Sequence, residues 1–236
     1  MGENIERLLK DNSYPGRGIL LGQLPGGDFV VVYFIMGRSA NSRNRVFVET
    51  SDGIATQPAD PERVVDPSLI IYNPVREYRT SLIVTNGDQT DTIHNHLSSG
   101  SDFESALRTR TFEPDAPNNT PRISGIVYTK PSFSYKLSIL KADSAENPGL
   151  IRQFFEYPCP QPGLGHFIST YRQDGDPMPC FEGEPVKVRL PYADLEEISG
   201  GIWLSLNEDN RVSLYVRVIS AKGETHSRII NRFTQK

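Results

Sequence analysis

Cysteine is scarce in this sequence: Cys159 and Cys180 are the only two among 236 residues. They form no C-x-x-C pair and have no histidine at zinc-ligand spacing, so a zinc site is excluded and two reduced thiols are expected. Long apolar runs are lacking as well. The longest, Phe29 to Met36, has the length of a buried strand and falls far short of the ~20 residues that span a bilayer. The opening residues, Met1-Gly2-Glu3-Asn4-Ile5-Glu6, have neither the basic start nor the apolar stretch of a signal peptide. Glu6 stands where a myristoylation motif needs Ser or Thr, so a cytoplasmic location is the expectation. A positive surplus is missing too. The formal net charge is -4 and the pI about 5.6, which argues against a general nucleic-acid binder. Lysine is the rarer cation, 7 against 18 arginines. Arginine offers a rigid fork for phosphate and carboxylate and stays charged when desolvated.

What is present is mainly strand signal. Arg17 to Leu24 runs into the turn Pro25-Gly26-Gly27-Asp28 and then into Phe29 to Met36, a hairpin whose second strand is apolar on both faces. Such a strand belongs between two layers. Arg45 to Ser51, Ser68 to Asn73 and Ser81 to Thr85 are further short strands. Thr90 to Leu97 and Asp102 to Thr109 then change period, with Ile93/Leu97 and Phe103/Leu107 at i,i+4, and read as two helices. Asp88 or Thr90 is the expected cap of the first, Ser101 or Asp102 of the second. Glu113 to Pro121 is a polar loop. Strands are expected at Arg122 to Thr129, Phe133 to Leu140, Gly165 to Arg172 and Arg211 to Ile219, with a short helix at Pro191 to Ile198. Residues 1–13 read as a polar leader. The order of elements predicts one α+β domain of packed sheets over 1–236.

Four places could carry chemistry. Gly37-Arg38-Ser39-Ala40-Asn41-Ser42-Arg43-Asn44 follows the most buried strand and alternates arginine with small hydrogen-bonding residues, which suits a phosphate. It is not a Walker loop. Tyr72-Asn73 closes a strand before Pro74 and could offer a phenol and an amide to a heterocycle, or simply end the strand. Thr85-Asn86-Gly87-Asp88-Gln89-Thr90-Asp91 turns a strand into a helix whose first amides could face an anion, although capping alone accounts for Asp88, Thr90 and Asp91. Glu113 and Arg122 stand at opposite ends of a loop and could meet at its mouth as general base and anion holder, or as a salt bridge. His94-Asn95-His96 has no metal-ligand surroundings, and residues two apart on a helix share no face.

Taken in order, these pieces form a pattern. A strand ending in Arg-Ser-x-x-x-Arg, then Tyr-Asn, then Asn-Gly-x-x-Thr-Asp, then Glu before Thr-Pro-Arg-Ile resembles the archaeal-type IMP cyclohydrolase family. The resemblance covers Tyr14 to Tyr128, about half the chain, echoes at Gly165 to Tyr171, and is not visible from Gln173 onward. It implies an N-terminal-nucleophile hydrolase-like fold, a four-layer αββα sandwich. It also implies the cyclisation of 5-formamidoimidazole-4-carboxamide ribonucleotide to inosine monophosphate (IMP). Carried over by position, Arg38, Tyr72, Asn73 and Glu113 would bind and catalyse. Ser39, Arg43, Asn86, Gly87, Thr90, Asp91 and Arg122 match motif positions at the substrate, with Arg38 or Arg43 expected at its phosphate. The resemblance calls for a small purine nucleotide and a homo-oligomer, and for no cofactor, metal, nucleic acid or membrane. A purine-nucleotide binding protein without catalysis and an amidohydrolase of the same fold are the alternatives. The latter would need a free terminal nucleophile, which Met1-Gly2 does not supply unless the leader is cleaved near Ser13.

Overall fold

Two seven-stranded sheets lie face to face in the computed structural model, which describes residues 2–64, 71–144 and 149–234. The first sheet contains β1 (Glu3–Asn4), β2 (Arg17–Gln23), β3 (Phe29–Met36), β11 (Leu164–Ser169), β12 (Val186–Arg189), β13 (Arg211–Ile219) and β14 (Thr225–Asn231), in the order β1-β12-β11-β2-β3-β13-β14. The second contains β4 (Val46–Thr50), β5 (Gly53–Gln57), β6 (Val75–Tyr78), β7 (Ser81–Thr85), β8 (Arg122–Tyr128), β9 (Ser134–Ala142) and β10 (Leu150–Tyr157), in the order β10-β9-β8-β7-β6-β5-β4. All pairings are antiparallel except β1 with β12.

Side-chain alternation decides the layering. In β3, Phe29, Val31, Tyr33 and Ile35 join Ile19 and Leu21 of β2 and face Val84, Ile123, Leu137 and Ile139 of the other sheet. The even residues Val30, Val32, Phe34 and Met36 pack instead under α1 (Ile5–Lys10) and α5 (Leu195–Ser205). On the far side, Ile83, Ile126 and Leu140 lie beneath α3 (Gln89–Ser98) and α4 (Phe103–Arg108) through Ile93, Phe103 and Leu107. The result is a four-layer αββα sandwich, and β3 is apolar throughout because both of its faces are covered. At one edge the sheets are joined by Asn231. Its side chain accepts from Phe47 N (2.9 Å) and donates to Phe47 O (3.0 Å), pairing with β4 as a strand neighbour would. No helix of the described residues is long and apolar enough to cross a membrane.

Several expectations change. Residues 1–13 are not merely a polar leader: β1 joins the sheet, the Asn4 side chain caps α1 by accepting from Arg7 N, and Ile5 and Leu9 are buried against β3. Spaced i,i+4, those two form an apolar stripe that the surrounding charges obscure. Of the strand expected at 68–73, residues 68–70 lie outside the described residues and Ile71 to Asn73 are not in a strand. The helix expected from Pro191 begins later, at Leu195, where Asp194 caps it through Glu197 N (3.0 Å), and it runs on to Ser205. β5, β6, β10, β12 and β14 are additional strands, mostly short or at sheet edges. Cys159 and Cys180 are free thiols.

Candidate active site

One end of the sandwich opens into a cavity of about 360 Å³. It lies where the start of β2, the loop after β3, the 113–120 loop and the 171–178 segment converge. The loop after β3 folds back through α2 (Ala40–Arg43), a single turn closed by Ser39: its hydroxyl accepts from Ser42 N (3.1 Å), while Ser39 N donates to Ser42 Oγ (3.0 Å). Gly37 permits the fold-back, because a Cβ there would sit 2.7 Å from the Ser42 carbonyl.

Glu113 is the cavity's buried acid, 4% exposed. Its Oε2 lies 3.7 Å from an Arg17 guanidinium nitrogen and its Oε1 3.5 Å from Asn86 Nδ2. Burial raises its pKa above the ordinary carboxylate range, against the opposing pull of Arg17 and Arg122. Burial alone would lower the Arg17 guanidinium, but Glu113 and the tyrosines Tyr171, Tyr72 and Tyr14 outweigh it and hold the group above its normal value. Around this pair the cavity wall carries Tyr14, Arg38, Ser39, Ser42, Arg45, Asp115 and Thr120. Asp115 accepts from the Thr120 hydroxyl (2.5 Å) and backbone N (2.7 Å), and that hydroxyl is 2.7 Å from the Tyr171 phenol. A carboxylate only accepts, so Thr120 donates to Asp115 and Tyr171 donates to Thr120.

The third motif lies directly behind Glu113. Asn86 is locked by its own bonds: Oδ1 accepts from Ile123 N (2.8 Å) and Gln89 Nε2 (2.9 Å), and Nδ2 donates to Pro121 O (2.9 Å). Gly87 is needed for closeness, since a Cβ would sit 2.6 Å from the Arg122 guanidinium and 2.7 Å from Gln89 Oε1. Arg122 reaches Asp88 and Gln89, both at 2.7 Å, rather than Glu113 directly. Despite partial burial, Arg110 and Arg122 hold the Asp88 carboxyl below its usual range, and its side chain makes no cap on α3. Thr90 bonds Thr85 within the turn, at 2.7 Å. Asp91 points elsewhere, to Arg76 at 3.0 Å.

The remaining candidates divide. Arg38 lines the mouth, bound to Asp174 (2.5 Å) and Gly175 O (3.0 Å) and lying over the Tyr14 ring. Arg43 turns away, donating to Gly37 O (2.9 Å) and Asn210 Oδ1 (3.2 Å). It lines a different cavity of about 380 Å³ beside Ala59, Arg63 and Phe233, where Asp60 lies 3.3 Å from Arg63. Tyr72 is buried behind the first cavity, its hydroxyl 2.9 Å from that of Tyr33, and Asn73 beside it is half-buried. Among the described residues no three His, Cys, Asp or Glu side chains group as a metal site.

A family model described as IMP cyclohydrolase-like protein matches residues 14–224. The chain belongs to that family. Its match takes in every residue that lines the Glu113 cavity and continues well past Tyr128, to include β9 to β13. An IMP cyclohydrolase of Methanopyrus kandleri is 30% identical over 191 residues, 72% of this chain and 89% of the relative. One from Methanococcus aeolicus is 27% identical over 67% of this chain and 74% of its own length, and one from Methanococcus maripaludis 33% identical over 50% and 60%. Within this family member, Arg17, Arg45, Tyr14, Asp115 and Tyr171 are cavity residues that motif reading passed over, and Thr120, part of the last motif, lines the cavity with them. The available signal was a charged residue opening an otherwise apolar strand, at Arg17 and again at Arg45.

Proposed function

We propose that this protein cyclises 5-formamidoimidazole-4-carboxamide ribonucleotide to IMP with loss of water. The observation that carries the reading is Glu113, a buried carboxylate with a raised pKa beside Arg17 in an arginine-lined cavity. Family membership and relatives named IMP cyclohydrolase support it. In the reaction, the carboxamide nitrogen attacks the formyl carbon and a C–N bond forms. Glu113 accepts the proton that the nitrogen loses, a step made easier by a base whose pKa lies closer to neutrality. The former formyl oxygen gathers negative charge, and the Arg17 guanidinium donates to it. Glu113 then returns its proton to that oxygen. The formamido nitrogen then gives up its own proton, which passes to that hydroxyl, and the ring C=N forms to this nitrogen as the oxygen leaves, so one water departs for each ring closed. Both reacting groups belong to one molecule, and holding them in contact supplies part of the acceleration.

Asn86, Gly87 and Arg122 act from behind, fixing the wall against which Glu113 rests, and Thr90 holds the turn that carries them. Tyr72 is a positioning residue in this reading. Its hydroxyl pairs with Tyr33 in the field of Arg17 and Arg45. The phosphate lies toward the loop after β3, on the side of the cavity lined by arginines and by Ser39 and Ser42. Asp91 and Arg43 take no part, and among the described residues no contact of Asn73 gives it a role. The deciding experiment mixes purified protein with the formamido nucleotide and follows IMP formation, with and without a chelator. Steady IMP formation in both is the expected result. Protein that binds IMP but leaves the formamido nucleotide unchanged would be a nucleotide-binding protein without catalysis.

A further inference from the structure

Arg45 carries a large cationic side chain that is almost wholly buried, 2% exposed. It opens β4 from the residue before it and lines the Glu113 cavity. A guanidinium has five N–H groups. In Arg45, Nε donates to Ser42 O (2.8 Å) and one terminal nitrogen to Met36 O (3.2 Å). Those carbonyls fix the plane of the fork but do not neutralise it. Arg17 has Glu113 and Arg38 has Asp174, whereas Arg45 has no carboxylate partner among the described residues. Burial and the neighbouring Arg17 both disfavour its charge. A buried, unpaired ion is among the most costly arrangements in a fold, and such groups are retained where a counter-charge arrives. Asn41 lines the same cavity with its side-chain oxygen buried and unpaired. A half-turn of that amide presents its NH₂ instead, and the two orientations are nearly indistinguishable in shape.

We infer that Arg45 is the main anchor for the 5′-phosphate of the nucleotide, with Arg38 at the rim and Arg43 outside the site. This rests on the cyclohydrolase reading for the identity of the ligand. The imidazole, carboxamide and formamido groups of that substrate are neutral, so the phosphate monoester is the only anion it brings to a cavity where Arg45 is the cation without a carboxylate among the described residues. Arg38 already has Asp174 at its guanidinium and lies partly in solvent, where a phosphate gains less.

The test is thermal unfolding in phosphate-free buffer, with inorganic phosphate, IMP or inosine added, on wild type, R45M, R45K and R43M. Wild type is stabilised by phosphate, and binds IMP more tightly than inosine by roughly 10- to 100-fold, as charge-assisted hydrogen bonds imply. R45M melts no lower than wild type when unliganded, gains nothing from phosphate, and binds IMP and inosine alike. R43M keeps the full phosphate response. An R45M protein that melts well below wild type yet still prefers IMP over inosine makes Arg45 a structural prop and overturns the inference. Should R45M fail to fold, R45K decides: an IMP affinity reduced tenfold or more with inosine unchanged upholds it, and an unchanged IMP affinity overturns it. Turnover is measured on the same samples. A wild type that responds to phosphate through Arg45 but forms no IMP refutes the cyclohydrolase reading alone.

Discussion

Replacing Glu113 by Gln separates a catalytic carboxylate from a structural one, because the two roles predict opposite changes in stability. The side chain keeps its shape and loses its charge. As general base, Glu113 contributes roughly 10²–10⁴-fold, so kcat should fall by that factor while IMP binding is largely kept. For stability, burial raises the folded pKa of Glu113 above its unfolded value of about 4.3. A group shifted that way contributes stability below its unfolded pKa and loses it as pH rises through the folded pKa. Above that folded pKa the ionised carboxylate is therefore a net cost to the fold relative to its protonated form, and there E113Q should melt at or above wild type. The difference should shrink as pH falls toward 4, where wild-type Glu113 is protonated too. The opposite view treats Glu113 as the counter-ion of Arg17. Removing one member of a buried pair typically costs about 3–5 kcal/mol, or roughly 6–20 °C in Tm for a chain of this size. The 3.7 Å separation of the pair favours the first outcome. Scanning calorimetry from pH 4 to 8 on both proteins, beside IMP-forming activity, measures everything required. A drop of 6 °C or more for E113Q at neutral pH would refute the reasoning, whatever the loss of activity.

Three other outcomes follow from named contacts. The acid limb of kcat/KM in wild type should lie above the ordinary carboxylate range, with activity falling as pH drops through the raised pKa of Glu113; a limb near pH 4 contradicts this. Tyr72→Phe leaves the buried Tyr33 hydroxyl without its partner, so urea denaturation should show a loss of about 1–3 kcal/mol, and an unchanged midpoint would mean that the 2.9 Å contact is not formed in solution. Asn231→Leu removes both bonds to the Phe47 backbone and should cost about 1–3 kcal/mol, with hydrogen exchange of the Phe47 amide accelerating; if that amide stays protected, another group closes the sheet edge.

Much of the fold could be read before any coordinates. β2, β3, β7, β8 and β13 lie within a residue or two of their expected limits, and α3 and α4 stand where the 3.6 period appears. These are central elements whose apolar faces write their own pattern. β10 and β14 were not legible because an edge strand buries only part of itself and mixes Arg, Gln, His and Ser with its apolar residues. α1 was hidden by charges flanking Ile5 and Leu9, and α5 by Gly200-Gly201 at its centre. The candidate site divides the same way. Motif order pointed to Arg38, Ser39 and Glu113, and the fold places all three on one cavity. It named Arg43 and passed over Arg45, two residues on along the same loop, since only the path of α2 turns one outward and the other in.

The sequence by itself determined the local matters: which segments extend or coil, that β3 lies between two layers, and which family the ordered motifs resemble. These depend on periodicity and on residues close together in the chain. Tertiary structure alone decided which charges meet. Arg17 and Glu113 are joined by the packing of β2 in one sheet against a loop of the other. The burial that raises Glu113, and that leaves Arg45 without a carboxylate among the described residues, is a property of the assembled cavity. Desolvation depends on everything that surrounds a group, and most of what surrounds these two is distant in sequence.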